Sequence, residues 1–207
     1  MKSPRIAIID YGAGNLHSVA KAFEAIGHPV NVTHSTADVL AADAVVLPGV
    51  GAAGDTMRGL TGIGMADAVR KVIADGKPFF GVCLGLQLLL SSTEEGNEEC
   101  LGVFKGEVKK FKSSALKVPH IGWNQVLQKR KHPIFSGIEN GAYFYFVHSY
   151  YAAPNDESLV AAETDYGGNF CSAIAKGNLI ATQFHPEKSG PTGLKLYENF
   201  VNLVAAG

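Results

Sequence analysis

Gly81-Val82-Cys83-Leu84-Gly85 is the stretch on which the reading of this chain turns. The apolar run Phe79-Phe80-Gly81-Val82 leading into it is short enough for a buried strand, and Leu84 to Leu90 opens as a helix. Glycines on both sides of the centre let a strand turn sharply into a helix. Such a turn holds the central residue in a strained, exposed pose above the first helical amides. A helix N-terminus stabilises negative charge and so favours a thiolate at Cys83. The pentapeptide by itself is equally compatible with an ordinary buried cysteine at a strand end.

The flanking sequence repeats the strand-then-helix rhythm. Residues 5–10, 29–33 and 44–47 read as short strands, 15–26 and 64–75 as helices, and 79–82 as the strand that carries the elbow. This alternation predicts a parallel sheet covered on both faces. The second half is richer in strands, at 103–111, 118–127, 142–151, 159–164, 170–175 and 179–184, before a last helix over 192–204. The expected fold is α/β: a mostly parallel open sheet with flanking helices, extended by antiparallel strands, in one domain over 1–207.

With 207 residues, 46% of them hydrophobic and 18% charged, the chain can bury a substantial core, and its net charge of −1 gives no argument for nucleic acid or an anionic membrane. No apolar run approaches the roughly 20 residues needed to cross a bilayer. The N-terminal apolar run ends at Asp10 and reads as a first strand, not a signal peptide. Cys83, Cys100 and Cys171 are odd in number and widely spaced, which suits a reducing cytoplasm and argues against a disulfide framework or a cysteine zinc site. Cys100 and Cys171 are read as bystanders, and no metal or other cofactor is expected.

A cysteine nucleophile needs a base, and the base needs an orienting group. His185-Pro186-Glu187 offers both, because proline pushes its predecessor into an extended conformation where positions two apart share a face. On its own the tripeptide reads as a surface turn; with the elbow roughly 100 residues upstream it reads as the partners of Cys83. Pro48-Gly49-Val50-Gly51 follows the strand 44–47 and falls on the same sheet edge as Cys83, where its backbone N–H groups can meet an oxyanion. Gly49, Gly51 and Gly54 also spell G-x-G-x-x-G, but no acidic residue stands at the end of the next strand, so a dinucleotide loop is not expected. Gly12-Ala13-Gly14 is a tight strand-to-helix turn or a phosphate cradle, with Asn15 near the cap. His17, His28, His34, His120 and His132 have no metal-ligand spacing, and His148 closes an aromatic strand.

On the elbow and Phe184-His185-Pro186-Glu187, the chain resembles the class I glutamine amidotransferases, whose fold is flavodoxin-like. Ile8–Leu16, Pro48–Gly51, His120–Asn124, Phe146–Tyr150 and His185–Gly190 are similar to the glutaminase subunits of imidazole glycerol phosphate synthases in histidine biosynthesis. The resemblance implies that Cys83 attacks glutamine, His185 moves its proton and Glu187 holds the imidazole. It implies Gly49, Val50 and Gly51 as the oxyanion hole, and Gln87, Glu95, Ser149 and Tyr150 as substrate-binding residues. It places Asn15, Trp123, Tyr145 and Lys188 at the interface with a separate cyclase (synthase) subunit, in a heterodimer. A barrel synthase needs about 250 residues that this chain does not hold, so the second catalyst is expected on another polypeptide. Val50 interrupts the Gly-Gly pair of many related loops, so the Gly49–Val50 peptide is expected to rest with its N–H turned away until the loaded partner docks. A glutaminase serving another synthase (pyridoxal phosphate or anthranilate) and a catalytically silent binding module are the alternatives.

Overall fold

Ile6–Ile9 (β1), Asn31–Thr33 (β2), Ala44–Gly49 (β3) and Phe79–Cys83 (β4) form the parallel side of a twelve-stranded sheet in a computed structural model that describes residues 3–12, 15–112 and 116–206. β1, β3 and β4 are buried along their full length, as expected of strands covered on both faces. Their side chains alternate between two cores. Ala7, Ile9, Val45, Leu47 and Phe79 face one side, and Ile6, Ile8, Ala44, Val46 and Phe80 the other. The connections are the helices Leu16–Ala25 (α1), Thr36–Ala41 (α2), Ala53–Gly62 (α3) and Met65–Ala74 (α4). Leu84–Gln87 (α5) follows β4 without a linker, and Gly190–Ala206 (α6) closes the chain.

Ten further strands complete the fold: Ser92–Thr93 (β5), Glu98–Glu99 (β6), Gly106–Lys110 (β7), His120–Gln125 (β8), Leu127–Gln128 (β9), Tyr143–His148 (β10), Tyr150–Pro154 (β11), Val160–Asp165 (β12), Asn169–Lys176 (β13) and Leu179–Thr182 (β14). The main order is β2-β1-β3-β4-β14-β13-β11-β7-β5-β6, with β12 and β9 branching from β13. β14 runs parallel to β4, and antiparallel pairing begins at β13. β8 and β10 form a separate two-stranded ribbon.

The structure corrects several boundaries. α2 and α3 stand where no helix was expected. α3 carries Gly54, Gly59 and Gly62 and has little intrinsic propensity, but it buries Ala53, Thr56 and Leu60. α2 is six residues long and relies on the Ser35 hydroxyl, which accepts from the Asp38 amide. The elbow helix is one turn, not the seven residues expected. The strand expected over 142–151 is two strands in different sheets, divided at Ser149. None of the described helices is long and apolar enough to cross a membrane.

Candidate active site

The carboxyl ends of β3, β4 and β14 lie side by side, and each delivers one part of a cavity of about 380 Å³. Cys83 is the last residue of β4 and the N-cap of α5, with φ 55° and ψ −106°. That conformation is rare for a residue with a Cβ and costs about 1–3 kcal/mol, which the surrounding packing must supply. The exposed pose expected for Cys83 is corrected: it is 6% exposed at the cavity floor, with Val50, Gly51 and Val147–Tyr150 among the residues around it.

His185 follows β14 in extended conformation and is buried. Its Nδ1 meets Glu187 Oε1 at 2.7 Å, and both side chains are almost wholly enclosed. Burial lowers the imidazole's proton affinity, but the Cys83 sulfur and then the Glu187 carboxylate outweigh it, and the pKa is raised to about 10. The direction of that shift favours the protonated ring at neutral pH. Asn15 Nδ2 donates to the same Glu187 oxygen at 3.4 Å. α6 presses directly on this turn, since a Cβ on Gly193 would lie 1.9 Å from the Pro186 carbonyl oxygen. One turn later Tyr197 is fully buried, and its phenol is pushed up by burial and by the Glu187 charge.

Gln87, expected either on a solvated face or in the site, is buried and lines the cavity. Its Nε2 donates to the Tyr150 carbonyl at 2.8 Å and to Gln183 Oε1 at 3.0 Å. Glu95 also lines the cavity while its Oε2 accepts from the Ala53 amide at the start of α3. Ser149 and Tyr150 form its far wall; the Ser149 carbonyl accepts from the Phe111 amide. Gly49 pairs with Cys83 across the sheet, and Val50 and Gly51 form the rim. The Tyr11 phenol is raised by burial, partly offset by the Val50 backbone and the Thr56 hydroxyl beside it. Of Gly12-Ala13-Gly14, Ala13 and Gly14 lie outside the described residues.

Gln183 was not anticipated. Its Nε2 lies 3.6 Å from Cys83 Sγ, and it is fully buried. Gln183 stands two residues before His185, the spacing at which an extended chain shares a face. The extended face expected for His185 and Glu187 is corrected: Glu187 lies in a 3-10 turn over Pro186–Lys188, which brings its carboxylate back to the imidazole.

Beside the cavity, the β8–β10 ribbon turns Phe144, Phe146 and His148 inward and leaves Ile121, Trp123 and Tyr143 more than half exposed. Trp123 packs edge-on to Tyr145 at 6.2 Å, and Lys188 Nζ stands 5.9 Å above the Tyr145 ring. Tyr145 is tied to the site through its backbone. Its carbonyl accepts from the His185 amide at 2.9 Å, and its amide donates to Ser189 Oγ, which in turn donates to the His185 carbonyl.

Behind the ribbon, His120 and His148 share a hydrogen bond of 3.0 Å, and His148 Nδ1 donates to the Tyr150 carbonyl at 2.8 Å. Burial among Phe111, Phe146, Tyr166 and Phe170 lowers His120 to about 4, and burial foremost lowers His148 to about 3. The unfolded chain protonates such rings near pH 6.5, so the folded state loses stability as the pH falls from 6.5 through 4. His120 and His148 both contribute to that loss. His185, whose pKa is raised, gives no slope in this interval; its contribution is lost only as the pH rises towards 10. Thermal midpoints measured from pH 7 to 4 are expected to fall steadily in the wild type and less steeply in His120→Gln.

Cys100 and Cys171 are buried apart from the cavity, and burial pushes their thiols up to about 11 and about 12. A larger cavity of about 650 Å³ lies between Arg70, Lys77, Phe104 and Leu179, at the opposite ends of the strands from Cys83. It is lined by no cysteine, histidine or carboxylate. No cluster of three or more metal-ligating side chains occurs among the described residues.

The family model described as glutamine amidotransferase class-I matches residues 7–203. The imidazole glycerol phosphate synthase subunit HisH of Dehalococcoides mccartyi is 52% identical over 96% of this chain and 97% of its own length. The subunit of the same name from Geobacter sulfurreducens is 51% identical over 95% and 97%. Among solved structures, one described as PurLQS from Thermotoga maritima superposes with a TM-score of 0.75, at 20% identity over 97% of this chain and 99% of that one. A crystal structure described as a glutamine amidotransferase gives the same TM-score at 18% identity, over 96% and 98%. The likeness to these two concerns the fold.

Proposed function

The chain belongs to the class-I glutamine amidotransferase family, and on that premise we propose that it is the glutaminase subunit of an imidazole glycerol phosphate synthase in histidine biosynthesis. Residues 1–207 act as one glutaminase domain in the cytoplasm. The observation that supports the chemistry is His185 Nδ1 held 2.7 Å from the Glu187 carboxylate, with Cys83 and His185 lining the same cavity. The proposed partner rests on the HisH relatives and on the exposed apolar ribbon bonded to His185.

In this reading the Cys83 thiolate adds to the glutamine side-chain carbonyl. The His185 imidazolium then protonates the departing nitrogen, releasing ammonia and leaving a glutamyl thioester. The now neutral imidazole takes a proton from water, which cleaves the thioester to glutamate. Gln87, Glu95, Ser149 and Tyr150 hold the substrate. Gln87 offers it an oxygen, because its NH2 group is already engaged.

Gly49, Val50 and Gly51 form the oxyanion hole, in which one backbone donor is worth about 3–4 kcal/mol. With the Val50 backbone lying beside Tyr11, the Gly49–Val50 peptide turns its N–H to the substrate only when the loaded cyclase subunit docks. Asn15, Trp123, Tyr145 and Lys188 meet that subunit in a heterodimer. Ammonia released into water is mostly protonated and no longer nucleophilic, so it is passed directly to the partner, which makes imidazole glycerol phosphate and AICAR.

The test is glutamate production by the purified chain, alone and with the cyclase subunit plus its nucleotide ligand. Weak turnover alone and a rise of about a hundredfold or more with the loaded partner are expected from one oxyanion donor. Equal turnover in both conditions rejects the reading.

A further inference from the structure

Two side-chain amides lie end to end beneath Cys83. Gln87 Nε2 bonds the Tyr150 carbonyl and Gln183 Oε1, and Gln183 Nε2 lies 3.6 Å from Cys83 Sγ. The nitrogen and oxygen of an amide are interchangeable by shape, so their order must come from the partners. Here one partner decides it. A backbone carbonyl only accepts, so Gln87 must show Tyr150 its NH2 group. The second lone pair of that carbonyl is taken by His148 Nδ1 at 2.8 Å, which anchors it. The same Gln87 NH2 faces Gln183, which must answer with its oxygen. Only the NH2 group of Gln183 is then left for the sulfur.

We propose that Gln183 is a catalytic hydrogen-bond donor to the Cys83 thiolate, held in register by Gln87 and the Tyr150 carbonyl. Sulfur bearing a full charge accepts an N–H more strongly than a thiol does, so the donor favours the nucleophilic form. A fully buried amide must also find partners for both ends, and here one of those partners is the reacting atom. The arrangement ties the glutamine-binding wall to the nucleophile, since Gln87 and Tyr150 both line the cavity.

The inference rests on Cys83 being the nucleophile of glutamine hydrolysis. Its test uses the complex with the cyclase subunit and two variants that separate the donor from the packing. Gln183→Met removes both polar ends. Gln183→Glu keeps an oxygen for Gln87 and withdraws the donor from the sulfur. For each, kcat with glutamine and the pH dependence of Cys83 alkylation by iodoacetamide are measured. Cys100 and Cys171, buried and with thiols raised to about 11 and 12, do not compete near neutral pH.

A tenfold to hundredfold loss of kcat is expected in both, the usual worth of a hydrogen bond to a charged group. The alkylation profile of Gln183→Met moves to higher pH. Residual activity of Gln183→Glu rises towards lower pH, where its carboxyl regains a proton to donate. If Gln183→Glu keeps wild-type kcat and profile while Gln183→Met does not, the amide serves only to anchor Gln87 and the proposal is overturned. Gln183→Asn replaces a variant that does not fold, and an unchanged profile there overturns it equally. A wild-type complex without glutamine turnover rejects the functional reading instead, and the alkylation profile still decides whether Gln183 bonds the sulfur.

Discussion

Cys83→Ala is expected to stop glutamine hydrolysis by the complex, lowering kcat by roughly 10⁴-fold or more, the usual consequence of deleting a covalent nucleophile. His185 and Glu187 keep their 2.7 Å contact in such a variant but have nothing to activate. The fold should survive. Alanine keeps the Cβ, so the φ of 55° is no more strained than before, and the side chain lost is one sulfur at a cavity floor. Docking should survive as well, because the exposed ribbon around Trp123 and Tyr143 belongs to other strands. Glutamate release and calorimetric titration with the cyclase subunit separate the two properties. Ammonium salts supplied in place of glutamine are expected to sustain the cyclase reaction. Hydrolysis retained in Cys83→Ala would remove the sulfur from the mechanism.

Much of this site was legible before any coordinates. Gly81-Val82-Cys83-Leu84-Gly85 fixes a strand-to-helix reversal through local sterics, and the closeness of His185 and Glu187 follows from their spacing across Pro186, although a 3-10 turn and not the expected extended chain joins them; both are properties of neighbours in sequence. The parallel strands were legible for a similar reason, since β1, β3 and β4 are unbroken apolar runs. What escaped depends on partners distant in sequence. α3 is a glycine-bearing helix stabilised by the burial of Ala53, Thr56 and Leu60, and nothing within its own ten residues announces it. The break at Ser149 separates residues that pair with β8 from residues that pair with β7, partners that no local propensity records. His120 looked ordinary because it has no ligand spacing, and His148 read only as the end of an aromatic strand. Their pairing exists only because β8 and β10 lie side by side in one register. Gln183 is the exception: its position two residues before His185 was enough to single it out.

Gly85→Ala is the substitution for which local and tertiary arguments disagree in sign, and the tertiary one should win. Within a helix, alanine is favoured over glycine by about 1 kcal/mol. Gly85 lies in the first turn of α5, and a Cβ there would stand 2.0 Å from the Leu47 carbonyl oxygen and 3.1 Å from its carbon. Both neighbours are backbone of β3, which pairs with β1 and β4, so no side-chain rotation relieves the overlap. Either α5 lifts off β3 or β3 shifts, and each displaces Cys83 from His185. A loss of about 3 kcal/mol or more is expected, equivalent to a midpoint lowered by roughly 6–12 °C in a chain of this size, together with loss of glutamine turnover in whatever fraction still folds. Gly62→Ala is the control. Gly62 ends α3 with no heavy atom within 4 Å of its added Cβ, and it should melt within a degree or two of the wild type or slightly above. If Gly85→Ala matched that control in both midpoint and activity, the elbow would not be seated on β3. The close approach of α5 to the strand, which holds Cys83 at positive φ beside the cavity, would then no longer explain how the chain places Cys83.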